Sequence, residues 1–277
     1  MKQLTILLLI LLFSCSEEPQ PVIETQERSD RTEAVQKELN KIIVNAGVKG
    51  SILIWDDNKY YSNDFEWAKK GRLPASTFKI PNSIIALDLG IIENDSTIIE
   101  WDGEPRSRKV WEQDLTFNEA FHYSCVPCYQ DIARKIGVQR MKNYLNKMSY
   151  VEMKFDSTNL DMFWLEGQSE ITQYQQISFL RTFNEQRLPI SKRTHTIMRR
   201  MMIIEENEEY TLRGKTGWSV ANDVDNCWFV GFVETKQGFY YFSTNIEPME
   251  HTDLDSLPSL RKTITMEALK SIGAIDF

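Results

Sequence analysis

Asn226-Cys-Trp-Phe-Val-Gly-Phe-Val-Glu234 is apolar at both odd and even positions. Successive side chains of a strand point to opposite faces, so this run predicts a central strand covered on both sides. Lys236-Gln237-Gly238 follows as a hairpin turn, and Gly238–Asn245 as the next strand. Upstream, Tyr210–Thr216 reads as a third strand, rich in aromatic and β-branched residues. Residues 258–273 close the chain with a helix. At the other end, residues 31–46 read as an amphipathic helix stopped by Gly47. Gly50–Trp55 and Lys59–Ser62 read as two strands around Asp56-Asp57-Asn58. Between these ends the pattern is helical over 74–89, in pieces within 115–147, and over 171–186 and 191–205. The expected fold is α+β in three layers. An antiparallel sheet is built from both chain ends and flanked by helices, with an inserted helical lobe.

The 277 residues are 42% apolar and 26% charged, ordinary for one large globular unit. A formal charge of -8 leaves no basic stripe to neutralise phosphates, which argues against nucleic acid as partner. The sequence contains no repeats.

The N-terminus reads as an export signal. Lys2 gives a positive start, and Leu4–Phe13 is an apolar run of ten residues. As a helix it would span about 15 Å, half a bilayer core, so it reads as a signal segment and not a membrane span. Leu12-Phe13-Ser14-Cys15 resembles a bacterial lipobox, which would make Cys15 the lipidated first residue of the mature protein. Ordinary cleavage nearby, with Cys15 incidental, is the alternative. Residues 1–14 are thus expected to be a lipoprotein-type signal. The polar residues 15–30 read as a tether, and 31–277 as a single domain. The expected location is the periplasm, with a lipid anchor.

Cys125-Val-Pro-Cys128 is a C-x-x-C pair. A zinc site would need two more ligands at matching spacing, and only Cys227 and three scattered histidines remain. A disulfide formed in an oxidising compartment, or two buried thiols, is the better reading. No metal is expected.

Ser76-Thr77-Phe78-Lys79 carries the chemistry. At helical spacing the lysine amine reaches the serine hydroxyl. A serine hydroxyl is a poor nucleophile until a base takes its proton, and lysine is a base only when neutral. Lowering its pKa from about 10.4 to about 7 takes roughly 4.6 kcal/mol. Burial beside Phe78, Ile80 and Ile84 can supply that. Pro81 disfavours helical geometry at Ile80, so the reactive turn is expected to be tight or irregular. A second S-x-x-K, Ser259–Lys262, reads as a helix surface. The first match gains weight from its company. Ser124-Cys125-Val126 lies 48 residues on and Lys215-Thr216-Gly217 lies 139 on, the order of elements in penicillin-recognising enzymes.

Other chemistries fit poorly. Gly214-Lys215-Thr216 mimics the end of a P-loop, but position 209 is Glu where Gly is required. There is no G-x-S-x-G elbow and no H-E-x-x-H. His122, His195 and His251 read as surface or satisfied core residues.

Residues 74–83 (PASTFKIPNS), 124–126 (SCV), 163–167 (FWLEG) and 215–218 (KTGW) together resemble the class D serine β-lactamases, the oxacillinases. The resemblance runs from about residue 47 to 273. It implies that residues 31–277 form one catalytic domain hydrolysing the cyclic amide of β-lactam antibiotics. Ser76 would be the nucleophile, and Lys79, carboxylated by CO2, the base for acylation and deacylation. CO2 is the only cofactor implied. Trp164 would donate to the carbamate. Ser124 would pass a proton to the leaving nitrogen, polarised by Lys215. Val126 and Leu165 would help line the pocket. Lys215, Thr216, Gly217 and Arg261 would hold the substrate carboxylate. Backbone N–H groups of Ser76 and Trp218 would form the oxyanion hole. Glu166 reads as structural. Tyr150-Val151-Glu152 departs from the family's Tyr-Gly-Asn and receives no role. A β-lactam sensor that stays acylated is the alternative, and a cell-wall transpeptidase or carboxypeptidase a third reading. The sequence leaves the oligomeric state open.

Overall fold

The computed structural model describes residues 22–221 and 223–276. The signal segment and Cys15 lie outside them. Helix α1 (Val22–Asn45) leads to strands β1 (Val48–Trp55) and β2 (Tyr60–Ser62). It begins earlier than the periodicity suggests, so residues 22–30, read as tether, are helical. The lobe follows: α2 (Phe65–Ala68), a 3₁₀ turn (Ala75–Phe78), α3 (Lys79–Asp88), strands β3 (Ile98–Ile99) and β4 (Leu115–Thr116), then α4 (Phe117–His122), α5 (Val126–Ile136), α6 (Val138–Lys147), α7 (Gln173–Asn184) and α8 (Lys192–Met201). The chain returns to the sheet through β5 (Ile203–Glu206), β6 (Tyr210–Ala221), β7 (Val224–Thr235) and β8 (Gly238–Pro248), and ends in α9 (Leu257–Ser271).

The main sheet runs β2-β1-β8-β7-β6-β5, with all neighbours antiparallel. The first strands of the chain therefore pair with the last, as the sequence predicts. Period-two alternation along β7 explains the layers. Cys227, Phe229 and Val233 join a core with Leu39 and Ile43 of α1 and Ile264 and Leu269 of α9. Trp228, Val230 and Phe232 enter the opposite core with Phe78, Ile84, Phe163 and Leu180 of the lobe. Burying each such large side chain contributes on the order of 2 kcal/mol. Gly231 is required where β6 passes closest: a Cβ there would lie 2.0 Å from the Arg213 carbonyl oxygen.

One helix expectation is corrected. The pattern over 191–205 reads as continuous helix, but α8 stops at Met201, and Ile203–Glu206 pairs with Thr211–Arg213 of β6. An open sheet edge outcompetes local helix propensity there.

Candidate active site

The reactive turn is tight, but Pro81 does not keep Ile80 out of helical geometry: both lie in the first turn of α3, where a missing amide donor costs no intrahelical bond. Ser76 lies in the 3₁₀ turn that precedes α3, and Lys79 is the first residue of that helix. Ala75, just before the serine, has a φ of +51°, a left-handed backbone rare outside glycine. Two bonds tie this turn to the rest of the lobe: the Ala75 amide donates to the Trp164 carbonyl at 2.8 Å, and Gln176 Nε2 donates to Thr77 Oγ1 at 2.9 Å.

Lys79 Nζ donates to Ser76 Oγ at 3.1 Å. Ser76 keeps 7% of its surface and Lys79 1%. Burial without a carboxylate partner lowers the Lys79 pKa to about 7. The amine sits 4.9 Å from the centre of the Tyr129 ring. Trp164 is fully buried and stacks on Phe78 at 5.4 Å. Its indole Nε1 has no hydrogen-bond partner among the described residues. A buried donor without an acceptor is costly, of order 1–3 kcal/mol, so this atom asks for a ligand.

Ser124 joins α4 to α5 with a φ of +53°. Its hydroxyl accepts from Lys215 Nζ at 2.5 Å, and the same ammonium donates to the Thr216 carbonyl at 3.0 Å. Burial first, then the charges of Lys79 and Arg261, press the Lys215 pKa well below its usual value. Lys215 comes from the middle of β6, in a strand and not a P-loop. β5 covers β6 only to Arg213, and beyond it the 3₁₀ turn of Ser76 packs against the strand. Gly217 permits that approach: a Cβ there would lie 3.2 Å from the Ser76 nitrogen.

A cavity of about 560 Å³ opens over these groups. Ser76, Ser124, Val126, Thr216, Gly217, Trp218 and Arg261 line it, all singled out by sequence. Arg261 is 8% exposed, and its Nη1 donates to the Gly217 carbonyl at 2.5 Å. Lys79, Lys215 and Trp164 stand behind the wall, too deeply buried to line it. Leu165 is half-buried in the lobe core and does not line this cavity. The second S-x-x-K faces outward, with Ser259 bonded to the Ser256 carbonyl.

Sequence reading missed Arg108, Trp111, His122, Tyr123 and Pro258, which complete the lining, and Tyr129 beside Lys79. No spacing pattern ties them to Ser76. The lining carries two arginines and no carboxylate, so it favours an anionic ligand. Desolvation at the cavity wall, then the charge of Lys215, lowers the His122 pKa. Tyr150, from the departing triplet, packs edge-on against Phe78 and Phe179 at 5.9 and 5.0 Å. Glu166 is exposed.

Cys125 and Cys128 form a disulfide across the first turn of α5, which selects that reading over two thiols. Cys227 is a buried free thiol. Among the described residues, no three His, Cys, Asp or Glu side chains group to hold a metal ion, and no helix is long and apolar enough to cross a membrane.

The chain matches a known protein family. The profile of the penicillin binding protein transpeptidase domain matches residues 42–265. Over 224 residues the chain is 39% identical to β-lactamase OXA-48 of Klebsiella pneumoniae, covering 80% of this chain and 83% of that one. It is 41% identical over 217 residues to β-lactamase OXA-10 of Pseudomonas aeruginosa, covering 77% and 80%. The solved class D β-lactamase YbXI from Nostoc superposes with a TM-score of 0.81 at 40% identity, covering 85% of this chain and 98% of that one. Sequence, fold and neighbours agree that the chain belongs to the class D β-lactamases, within the penicillin binding protein transpeptidase family.

Proposed function

We propose that this chain hydrolyses β-lactam antibiotics through an acyl-enzyme on Ser76, with a carboxylated Lys79 as general base. The observation that carries the reading is the buried, charge-poor Lys79 amine 3.1 Å from Ser76 Oγ, with the unpartnered Trp164 Nε1 in the same core. A pKa of about 7 leaves much of the amine neutral at physiological pH, and only a neutral amine captures CO2. The orphaned indole N–H fits such a group, so Lys79 would carry it and Trp164 would hold it. When bound, CO2 supplies a carboxylate-like base next to the nucleophile.

The remaining steps belong to the chain's own side chains. The substrate carboxylate is attracted to Lys215, Thr216 and Arg261, which places the lactam carbonyl over Ser76. Ser76 Oγ loses its proton toward the Lys79 side chain and forms the ester bond to the carbonyl carbon. Backbone N–H groups of Ser76 and Trp218 steady the developing oxyanion. As the C–N bond breaks, Ser124 Oγ–H protonates the nitrogen, and Lys215 replaces that proton. Water on the Lys79 side then cleaves the ester. No metal enters this sequence.

The location is proposed from sequence alone. Residues 1–14 would direct export, and lipidation at Cys15 would hold the enzyme on a membrane facing the periplasm.

A chromogenic β-lactam assayed with and without bicarbonate tests the reading. Sustained turnover that rises with bicarbonate supports it. One-for-one labelling without turnover, even in bicarbonate, would replace it with a sensor that stays acylated.

A further inference from the structure

Ser124 holds a left-handed backbone, φ +53°, as the residue after the C-cap of α4, a helix-end position that Ser149 and Gln186 also occupy at +54° and +56°. The N-terminal side offers two backbone bonds: Ser124 and Cys125 amides donate to Phe121 and Ala120 carbonyls at 3.2 and 2.9 Å. The C-terminal side offers a covalent one. Cys125 is the N-cap of α5, its Sγ accepts the Cys128 amide at 3.3 Å, and the disulfide ties the two residues together. The ring spans a separation of only three residues. A ring this short limits the unfolded chain less than a long one does, so its leverage is mainly local. The locality matters because the neighbour of Cys125 is the hydroxyl that accepts from Lys215.

The disulfide also has its own route to solvent. A second cavity, of about 330 Å³, is lined by Cys125 and Cys128. Trp111 is common to the walls of this cavity and the one over Ser76. Cys125 is 1% exposed, while Cys128 is half-buried, so Cys128 is the more accessible of the pair.

We propose that the Cys125–Cys128 disulfide is a positioning element for Ser124, holding its hydroxyl on Lys215, and that a dithiol entering the second cavity slows turnover by reducing it. The proposal rests on Ser124 as the proton relay. One thiolate of the dithiol attacks Cys128 Sγ, the S–S bond breaks, and Cys125 leaves as a thiolate. The helix N-terminus and the Cys128 amide stabilise that leaving group. The second thiol of the reagent then displaces Cys128, which leaves the reagent as a disulfide. Its two electrons and two protons end on the two cysteines. Freed of the clip, Cys125 and the first turn of α5 loosen, and the adjoining Ser124 Oγ drifts from Lys215.

The full-length protein is assayed oxidised, after reduction by a small dithiol with thiols counted, and as Cys128→Ser. The expected result is a gain of two thiols without loss of the circular dichroism spectrum and a fall in kcat of up to roughly a hundredfold, the scale of a misplaced catalytic group. KM holds, the alkaline limb of the kcat–pH profile shifts, and reoxidation restores the rate. Unchanged kcat and pH profile in fully reduced protein would overturn the positioning role. A disulfide that resists reduction in the folded protein would overturn the access route. Should Cys128→Ser fail to fold, the reduced native protein still decides. Absence of turnover in the oxidised protein would instead refute the β-lactamase reading itself.

Discussion

Ser124 Oγ accepts a hydrogen bond from Lys215 Nζ at 2.5 Å, although 91 residues separate them. This contact joins the helical lobe to the sheet at the point where the substrate nitrogen would depart. Replacing Ser124 by Ala should slow acylation by roughly a hundredfold or more, the usual scale of a lost general acid, with little change in melting temperature. Stopped-flow acylation rates would measure it. A loss below threefold would remove Ser124 from the relay.

In the proposed mechanism Lys79 sets the pH response. With its pKa near 7, turnover should fall about tenfold per pH unit below that value, as the amine charges and CO2 capture stops. Stability has the same origin with a definite sign. The unfolded lysine, near 10.5, binds more protons than the folded one between about 7 and 10.5. Stability therefore rises with pH through that window, and below it the buried amine costs roughly 5 kcal/mol. Lys79→Met should abolish turnover yet raise the melting temperature, more at pH 6 than at pH 9. Calorimetry at the two pH values checks this, and an equal or opposite change would contradict it.

The sequence makes the strands and the chemistry legible for a common reason: both are local patterns. Residues 226–234 advertise a doubly covered strand, and Ser76, Ser124 and Lys215 appear as short motifs in order. What escaped depends on distant contacts. Ile203–Glu206 looks helical until β6 offers it an edge to pair with. Tyr129 reaches Lys79 only because α5 packs on α3, and Trp111 reaches the cavity only through the fold of the lobe. The family resemblance names Trp164, but that its indole N–H has no partner among the described residues is visible only in three dimensions.

Trp164→Phe keeps the ring stacked on Phe78 and removes only the orphaned donor. One lost hydrogen bond of about 1.4 kcal/mol should raise the bicarbonate needed for half-maximal activity about tenfold. Saturating bicarbonate should restore much of the rate. A bicarbonate titration of both proteins gives the comparison, and matching midpoints would exclude Trp164 as a partner of the Lys79 modification.

Gly231→Ala tests the central hairpin. The added Cβ collides with the Arg213 carbonyl in the middle of the sheet, and backbone cannot yield as a flexible side chain can. A loss of about 3 kcal/mol or more is expected in urea unfolding. A variant as stable as the parent would mean that β6 and β7 are not packed as described.

The central claim is that Ser76 carries an acyl group which Lys79 helps to remove. Intact-protein mass spectrometry after rapid mixing with a penicillin tests it most directly. With bicarbonate present, a single adduct mapped to Ser76 should appear and decay within the turnover time. Without CO2 it should linger, and in Lys79→Ala any adduct that forms should persist. An adduct on another residue, or one on Ser76 that outlasts turnover in the bicarbonate-treated parent, would contradict the account.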